Sequence, residues 1–249
     1  MGARESELSE ITTLRADLER HRRDALEQER QLERYASDLA DTYKQERARA
    51  QELQDSYVAT VRALANAVEA RDAYTGKHAE RVAAYGLEIA RAMGLHLAEE
   101  AQAEFGFLLH DVGKVAIPDS ILFKPDPLDV AERALMQRHT IIGWEILRHV
   151  SFLGEAKAVV RSHHERWDGA GYPDGLAGEA IPVAARVFAV ADTLDALTTE
   201  RPYRPRMGIG PARAIIAAES GTQFDPAVVA AFRGMDDAVL ERIGREHAS

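Results

Sequence analysis

Nine histidines occur in the chain, and five of them, His78, His110, His139, His163 and His164, lie on or beside helical segments that also carry Asp111 and Asp192. Imidazole and carboxylate together make a nitrogen and oxygen cage for a divalent metal. Taken singly, each histidine has an ordinary reading, since a histidine beside apolar residues is more often a hydrogen-bonded core or surface group than a ligand. The segment HDVGK raises the expectation. It sets His110 and Lys114 four apart on a helix face with Asp111 beside them, behind the apolar run FGFLL. Burying such charge is costly unless it is paired or metal-bound, and one or two divalent ions supply the partner.

Two further clusters carry the same chemistry. HHERWDGAGYPDGLAGEAIP ends a helix with two imidazoles and passes into a glycine-rich loop. Successive helical residues point about 100° apart, so both rings face one centre only near a helix end, which the loop provides. ADTLDAL places Asp192 and Asp195 three apart on one helix face, with Ala191, Leu194 and Leu197 left for packing. In that apolar setting the pair is read as a ligand and a neighbour rather than as solvated surface.

The elements that must position these groups are all helical. Val58, Val61, Leu64, Ala65 and Val68 share one face; Val82, Tyr85 and Ile89 line a second helix, which Gly94 is expected to stop. Phe105, Leu108, Leu109 and Val112 continue the pattern to Pro118. Asp129 and Glu132 stand at capping-box spacing and open a helix through Leu135 and His139. Another helix runs from Glu155 to His164, the glycine-rich stretch 166 to 182 is loop, and helices resume near Val183. After the proline-rich break from Arg201 to Pro211, two short helices split at Gly221 and Pro226 finish the chain. Nothing alternates with period two for long enough to make a sheet.

The first 56 residues read differently, as a helical stalk ahead of a globular domain over 57 to 249. Of the first 55, 24 are charged, and apolar residues recur every seven at Ile11, Leu18, Ala25, Leu32 and Leu39, lapse at Glu46 and return at Leu53. The companion seam is poor: Leu14 and Tyr35 fit, whereas His21, Gln28, Thr42 and Arg49 are polar. The preferred reading is a weakly specified parallel coiled coil and hence a homodimer, with a single helix held by ion pairs as the alternative. Composition sets outer bounds. The net charge of -10 argues against a nucleic-acid binder and means that a phosphate ligand needs local cations. The absence of cysteine excludes thiolate metal sites and cysteine nucleophiles. No apolar stretch reaches the ~20 residues of a membrane crossing, so no membrane insertion is expected and the location is expected to be cytoplasmic.

Taken together, EARDAYTGKHAERV, HDVGKVAIPDSIL, KPDPL, MQRHTIIGWEIL, HHERWDGAGYPDGLAGEAIP, ADTLDALTTERPYR and SGTQFDP resemble the HD-GYP family of cyclic di-GMP phosphodiesterases, over roughly residues 57 to 235. The resemblance implies an all-α HD-domain helical bundle, here preceded by a long coiled-coil-like helix. It implies that His78, His110, Asp111 and Asp192 bind one metal, with Asp111 bridging to a second held by His139, His163 and His164. Two close divalent cations acidify a water between them and neutralise charge on phosphoryl oxygens. Iron or manganese is favoured by the resemblance, although the ligand types accept several transition metals. Lys114 is then placed to hold a phosphate, and Asp195 to orient the water or protonate the leaving oxygen. Arg201 and Arg204 match positions that contact substrate phosphates, and Tyr172 belongs to the GYP loop, which is also linked to contacts with GGDEF-domain proteins.

The implied reaction is hydrolysis of cyclic di-GMP to linear pGpG, and on to GMP. A non-hydrolytic cyclic di-GMP receptor, a GGDEF-binding scaffold, and a hydrolase of another nucleotide are the competing readings. The sequence departs from the family at Tyr74, where some members carry a metal-binding Glu, so two metals are expected rather than three. KPDPL and RPRMGIGP are also unusual.

Overall fold

The computed structural model describes residues 2–71, 77–95, 100–200 and 205–247, and their side chains other than at 2–11, 100 and 101. Its elements are helices: α1 (Gly2–Glu69), α2 (His78–Ala92), α3 (Glu100–Leu109), a 3-10 turn (Val112–Ala116), α4 (Asp119–Leu122), α5 (Val130–Gln137), α6 (His139–Leu147), α7 (Ala156–Ser162), α8 (Val183–Thr198), α9 (Ile209–Ala218), α10 (Pro226–Arg233) and α11 (Asp237–Glu246), with short 3-10 turns at Ser151–Leu153 and Gly178–Ala180. Among the described residues no strand forms; Ser220 and Phe224 make one isolated bridge. The chain separates into two units, residues 1–57 and 58–249. In the first, the heptad leucines stay in solvent: Leu18, Leu32 and Leu39 are 69%, 68% and 71% exposed.

The second unit is a bundle built on α2 and α8. Val82, Tyr85 and Ile89 of α2 and Phe188, Ala191 and Leu194 of α8 are buried, together with Phe107 of α3, Val160 of α7 and Phe232 of α10. Gly94 stops α2 as expected. Its φ of 70° lets the amides of Gly94 and Leu95 reach back to the carbonyls of Arg91 and Ala90, which closes the helix with a left-handed residue that glycine adopts without strain.

Asp129 and Glu132 form the expected capping box, each side chain accepting from the other's backbone amide at 2.8 and 2.9 Å. The helix they open does not run through His139. It ends at Gln137, and His139 is the first residue of α6. The local reason is side-chain competition: His139 Nδ1 donates to the Met136 carbonyl at 2.7 Å and Thr140 Oγ1 to that of Gln137 at 3.1 Å, so the break is fixed by side-chain bonds.

HDVGK also departs from the single-helix reading. α3 stops at Leu109, Asp111 precedes the 3-10 turn, and His110 and Asp111 sit where the chain bends. Arg71 fastens the far side of that bend through the carbonyls of Lys114, Val115 and Ile117 and the Asp119 carboxylate. A third helix, α11, follows the two expected after Pro211; Asp236 caps it by accepting from the Ala238 amide at 2.9 Å.

The bend presses directly on α6. A Cβ added at Gly113 would lie 1.9 Å from the His139 carbonyl oxygen and 2.6 Å from the Gly143 nitrogen, both backbone atoms that cannot swing aside. This contact brings Asp111 and His139 together. Gly113→Ala is therefore expected to destabilise the fold by about 1–3 kcal/mol or more through overpacking, in urea unfolding. Gly210→Ala, whose added carbon meets open space, is expected to be neutral or to stabilise by up to about 1 kcal/mol in the same measurement.

Candidate metal centre

His78 opens α2 from an unusual position. Lys77 before it is left-handed and supplies no side-chain cap. The cap comes from the last residue of α1, where Glu69 Oε1 accepts from the Ala79 amide. Burial raises the Glu69 carboxyl above its ordinary range, against the pull of that backbone bond and of nearby His78. His78 Nδ1 donates to Asp195 Oδ2 at 2.7 Å, while its Nε2 lies 3.4 Å from Asp192 Oδ1.

At the bend, His110 Nε2 is 3.0 Å from Asp111 Oδ2, which Lys114 Nζ also meets at 2.8 Å. His139 Nε2 is 3.5 Å from Asp111 Oδ1 and 3.2 Å from His163 Nε2. The rings of His163 and His164 lie 4.2 Å apart, and those of His78 and His110 are 5.5 Å apart. All seven candidate ligands, from α2, the α3 bend, α6, the end of α7 and α8, are thus joined in one continuous cluster. His139, His163 and His164 each offer a ligand atom within 4.8 Å of the others.

Orientation of the rings tests whether this cluster fits a metal. His110, His139 and His163 each spend Nδ1–H on the carbonyl three residues earlier, those of Phe107, Met136 and Val160, at 2.8, 2.7 and 2.9 Å. In His139 and His163, which burial keeps neutral, this leaves a bare Nε2 facing the centre, the tautomer that a metal-binding histidine takes when its other nitrogen is tied to a carbonyl. Two such lone pairs face each other at 3.2 Å in His139 and His163. Burial holds both rings below the ordinary imidazole range and pulls His164 down to about 3, so protonation does not relieve the contact. Asp111 goes the other way: despite burial, His110 and Lys114 hold its carboxyl well below the usual range. Neutral His139, His163 and His164 beside an ionised Asp111 are in the protonation state that metal binding requires. The donor set fits divalent cations.

The glycine loop closes over one edge. Glu165, 4% exposed, accepts from the amides of Asp174 and Leu176 at 2.7 and 3.1 Å, and Arg161 makes a two-point pair with the Asp174 carboxylate. Gly171 lies so close to the chain behind it that a Cβ would sit 2.4 Å from the Arg166 nitrogen. Tyr172 consequently stacks on His164, with ring centroids 4.7 Å apart at 29°, and its phenol is raised by burial and then by the charge of Asp111.

Asp195 is the residue that the resemblance assigns to orienting water or protonating the leaving oxygen. It is 1% exposed. Besides His78, its oxygens accept from Arg81 Nε and Nη2 at 2.6 and 3.3 Å and from Thr199 Oγ1 at 3.2 Å. Burial works to raise its carboxyl, and the His78 and Arg81 bonds outweigh that and lower it. Its place is that of a positioning residue behind His78. Arg201, Arg204 and Tyr74 lie outside the described residues. Sequence reasoning passed over Arg81, Glu69 and Glu165, although Arg81 is three residues from His78 on the same face of α2, the one available signal.

Residues 62–228 match the family described as HD domain. Over 168 residues the chain is 45% identical to a 3′3′-cGAMP-specific phosphodiesterase 2 of Vibrio cholerae, covering 67% of this chain and 32% of that protein. It is 44% identical over 187 residues to the cyclic di-GMP phosphodiesterase response regulator RpfG of Xanthomonas campestris, covering 74% of this chain and 49% of the other. The chain thus spans half or less of the length of these relatives. Its fold resembles the crystal structure of a cyclic GMP-AMP specific phosphodiesterase of V. cholerae with a TM-score of 0.52 at 23% identity, over 74% of this chain and 48% of that one. The chain belongs to the HD domain family, in its HD-GYP branch.

If Asp195 fixes the tautomer of His78, Asp195→Asn weakens metal binding by roughly 10–100-fold, the usual cost of losing such an outer partner. Calorimetric titration of metal into the stripped variant measures this, and circular dichroism checks that the helices persist.

Proposed function

We propose that this HD-GYP chain is a metal-dependent phosphodiesterase that hydrolyses cyclic di-GMP to linear pGpG and on to GMP, lowering a second messenger in the bacterial cytoplasm. The observation that carries the reading is the pair of bare imidazole nitrogens 3.2 Å apart inside a cluster of seven candidate ligands. His78, His110, Asp111 and Asp192 would hold one divalent ion, and His139, His163 and His164 a second, with Asp111 shared; iron or manganese suits them. Such ions supply Lewis-acid stabilisation of the phosphoryl oxygens and a water acidic enough to act as nucleophile near neutral pH.

The remaining work falls to side chains. Lys114, 2.8 Å from Asp111, brings a cation to the edge of the cluster, where it attracts a substrate phosphate and stabilises charge that develops on it. Asp195 and Arg81 hold His78 in one tautomer. Tyr172, stacked on His164, walls the site against water and offers a ring face to a base. Arg201 and Arg204 are assigned to the substrate phosphates, since a chain of net charge -10 needs local cations to receive a dianion.

A second substrate, 3′3′-cGAMP, is favoured by the name of the Vibrio relative at 45% identity. Both keep the same reaction. With anaerobically purified protein, turnover of cyclic di-GMP, 3′3′-cGAMP and a linear dinucleotide, followed by chromatography alongside metal analysis, separates them. The His110→Ala/Asp111→Ala double variant is expected to lose hydrolysis and most of its metal while keeping its helical spectrum. Unchanged turnover by that variant refutes the assignment, and stoichiometric binding of cyclic di-GMP without turnover by the metal-loaded wild type makes the chain a receptor.

The stalk fits a homodimer, because Leu14, Leu18, Leu32, Leu39 and Leu53 leave more than half of their surface in water. The GYP loop is the surface proposed for GGDEF-domain proteins. Sedimentation is expected to give a dimer that Leu18→Glu/Leu32→Glu converts to monomer.

A further inference from the structure

A cleft of ≈ 520 Å³ opens between α2, α8, α9 and α11, lined by none of the clustered histidines. Its size falls within the range of small-molecule sites, about 300–1,000 Å³. Arg81, Arg206, Arg245 and Glu241 line it, and the Arg81 guanidinium is already paired with Asp195 at 2.6 Å. Glu241 lies 3.5 Å from Arg245 and offsets part of that charge. Arg206 is exposed and forms no ion pair with a described residue. With Arg81 and Arg245 each matched by a carboxylate, Arg206 leaves one positive charge over in the lining, which on a chain with 41 acidic and 31 basic residues marks where an anion is drawn. Hydroxyls of Tyr85, Thr198 and Thr199 add polar groups, and Met207 and Leu240 add apolar surface.

We propose that this cleft is a binding site for a small phosphate ester of mononucleotide size, with Arg206 and Arg245 taking the phosphate. The arginine fork suits phosphate oxygens, and the apolar part of the lining suits a base. The site is wired to the metal centre. Arg81 lines the cleft and at the same time holds Asp195, and Asp195 holds His78. Thr199 makes the same double contact. A ligand that attracts the Arg81 guanidinium competes with Asp195 for it, so occupancy of the cleft and the setting of His78 are linked, and by reciprocity each affects the other.

The test measures binding and is independent of hydrolysis. The same 249-residue chain carrying His110→Ala/Asp111→Ala, which removes two of the candidate metal ligands, is titrated with 5′-GMP in a calorimeter. It is expected to bind one GMP per chain. Adding Arg206→Glu/Arg245→Glu is expected to weaken that binding at least tenfold, while Arg206→Lys/Arg245→Lys keeps it within a few-fold. Circular dichroism confirms that each variant is folded. Absence of saturable binding in the first variant, or equal affinity after charge reversal, overturns the proposal.

Discussion

Like-signed electron density, forced together inside an apolar wall, is the constraint around which this bundle is organised. His139 and His163 point unprotonated nitrogens at each other at 3.2 Å, and an ionised Asp111 lies 3.5 Å from the first of them. In water such groups would separate or protonate. Here the backbone carbonyls of Met136 and Val160 hold the rings by their other nitrogens, and burial opposes the imidazolium. The two facing lone pairs repel, and a cation shared between them would relieve that repulsion.

Holding the groups in that state is the work of close backbone approach more than of side-chain bonding. The α3 bend touches α6 where Gly113 meets the His139 carbonyl, and Gly143 answers from the other side, with Val160 of α7 2.9 Å from where its own Cβ would be. Three elements thus meet at two residues without side chains. Phe188 of α8 fills the floor beneath, its ring 4.7 Å from His110 and 5.5 Å from His163. A rigid floor and tight corners leave the imidazoles no alternative rotamer that would escape the centre.

The residues that cluster in the structure were legible in the sequence because their chemistry is local: HD followed by a glycine, paired histidines before a glycine loop, and an aspartate on an apolar helix. The helical class and the Gly94 and Asp129 signals were legible for the same reason, since caps and periodicity depend on near neighbours. What escaped was one local side-chain effect and several contacts between residues distant in sequence. The break at Arg138 follows from His139 and Thr140 taking carbonyls one turn back, which a capping-box reading of Asp129 and Glu132 does not foresee. Glu69 capping α2 from the end of α1, and Arg71 gathering three carbonyls around the 3-10 turn, join residues that only the tertiary fold brings together. No periodicity or composition signals either one.

The two aspartates of α8 show how the same local spacing yields unlike roles. Residues three apart on a helix are separated by about 4.5 Å along the axis and share a face, a spacing that fits a ligand and a neighbour. His78 lies across the face: its Nδ1 meets Asp195 and its Nε2 meets Asp192, so one carboxylate grips the ring from behind while the other shares its open side. Exposure then separates the two. Asp192 keeps a third of its side-chain surface, enough to take part in an open site, whereas Asp195 keeps 2% and is filled by Arg81. Raising or lowering acidity follows from the same geometry: burial alone would depress His78, yet the Asp195 bond and the charge of Asp192 outweigh it and raise the ring. An imidazole so basic is a strong donor to a cation once its proton leaves, and the carboxylate behind it keeps that electron density aimed at the centre.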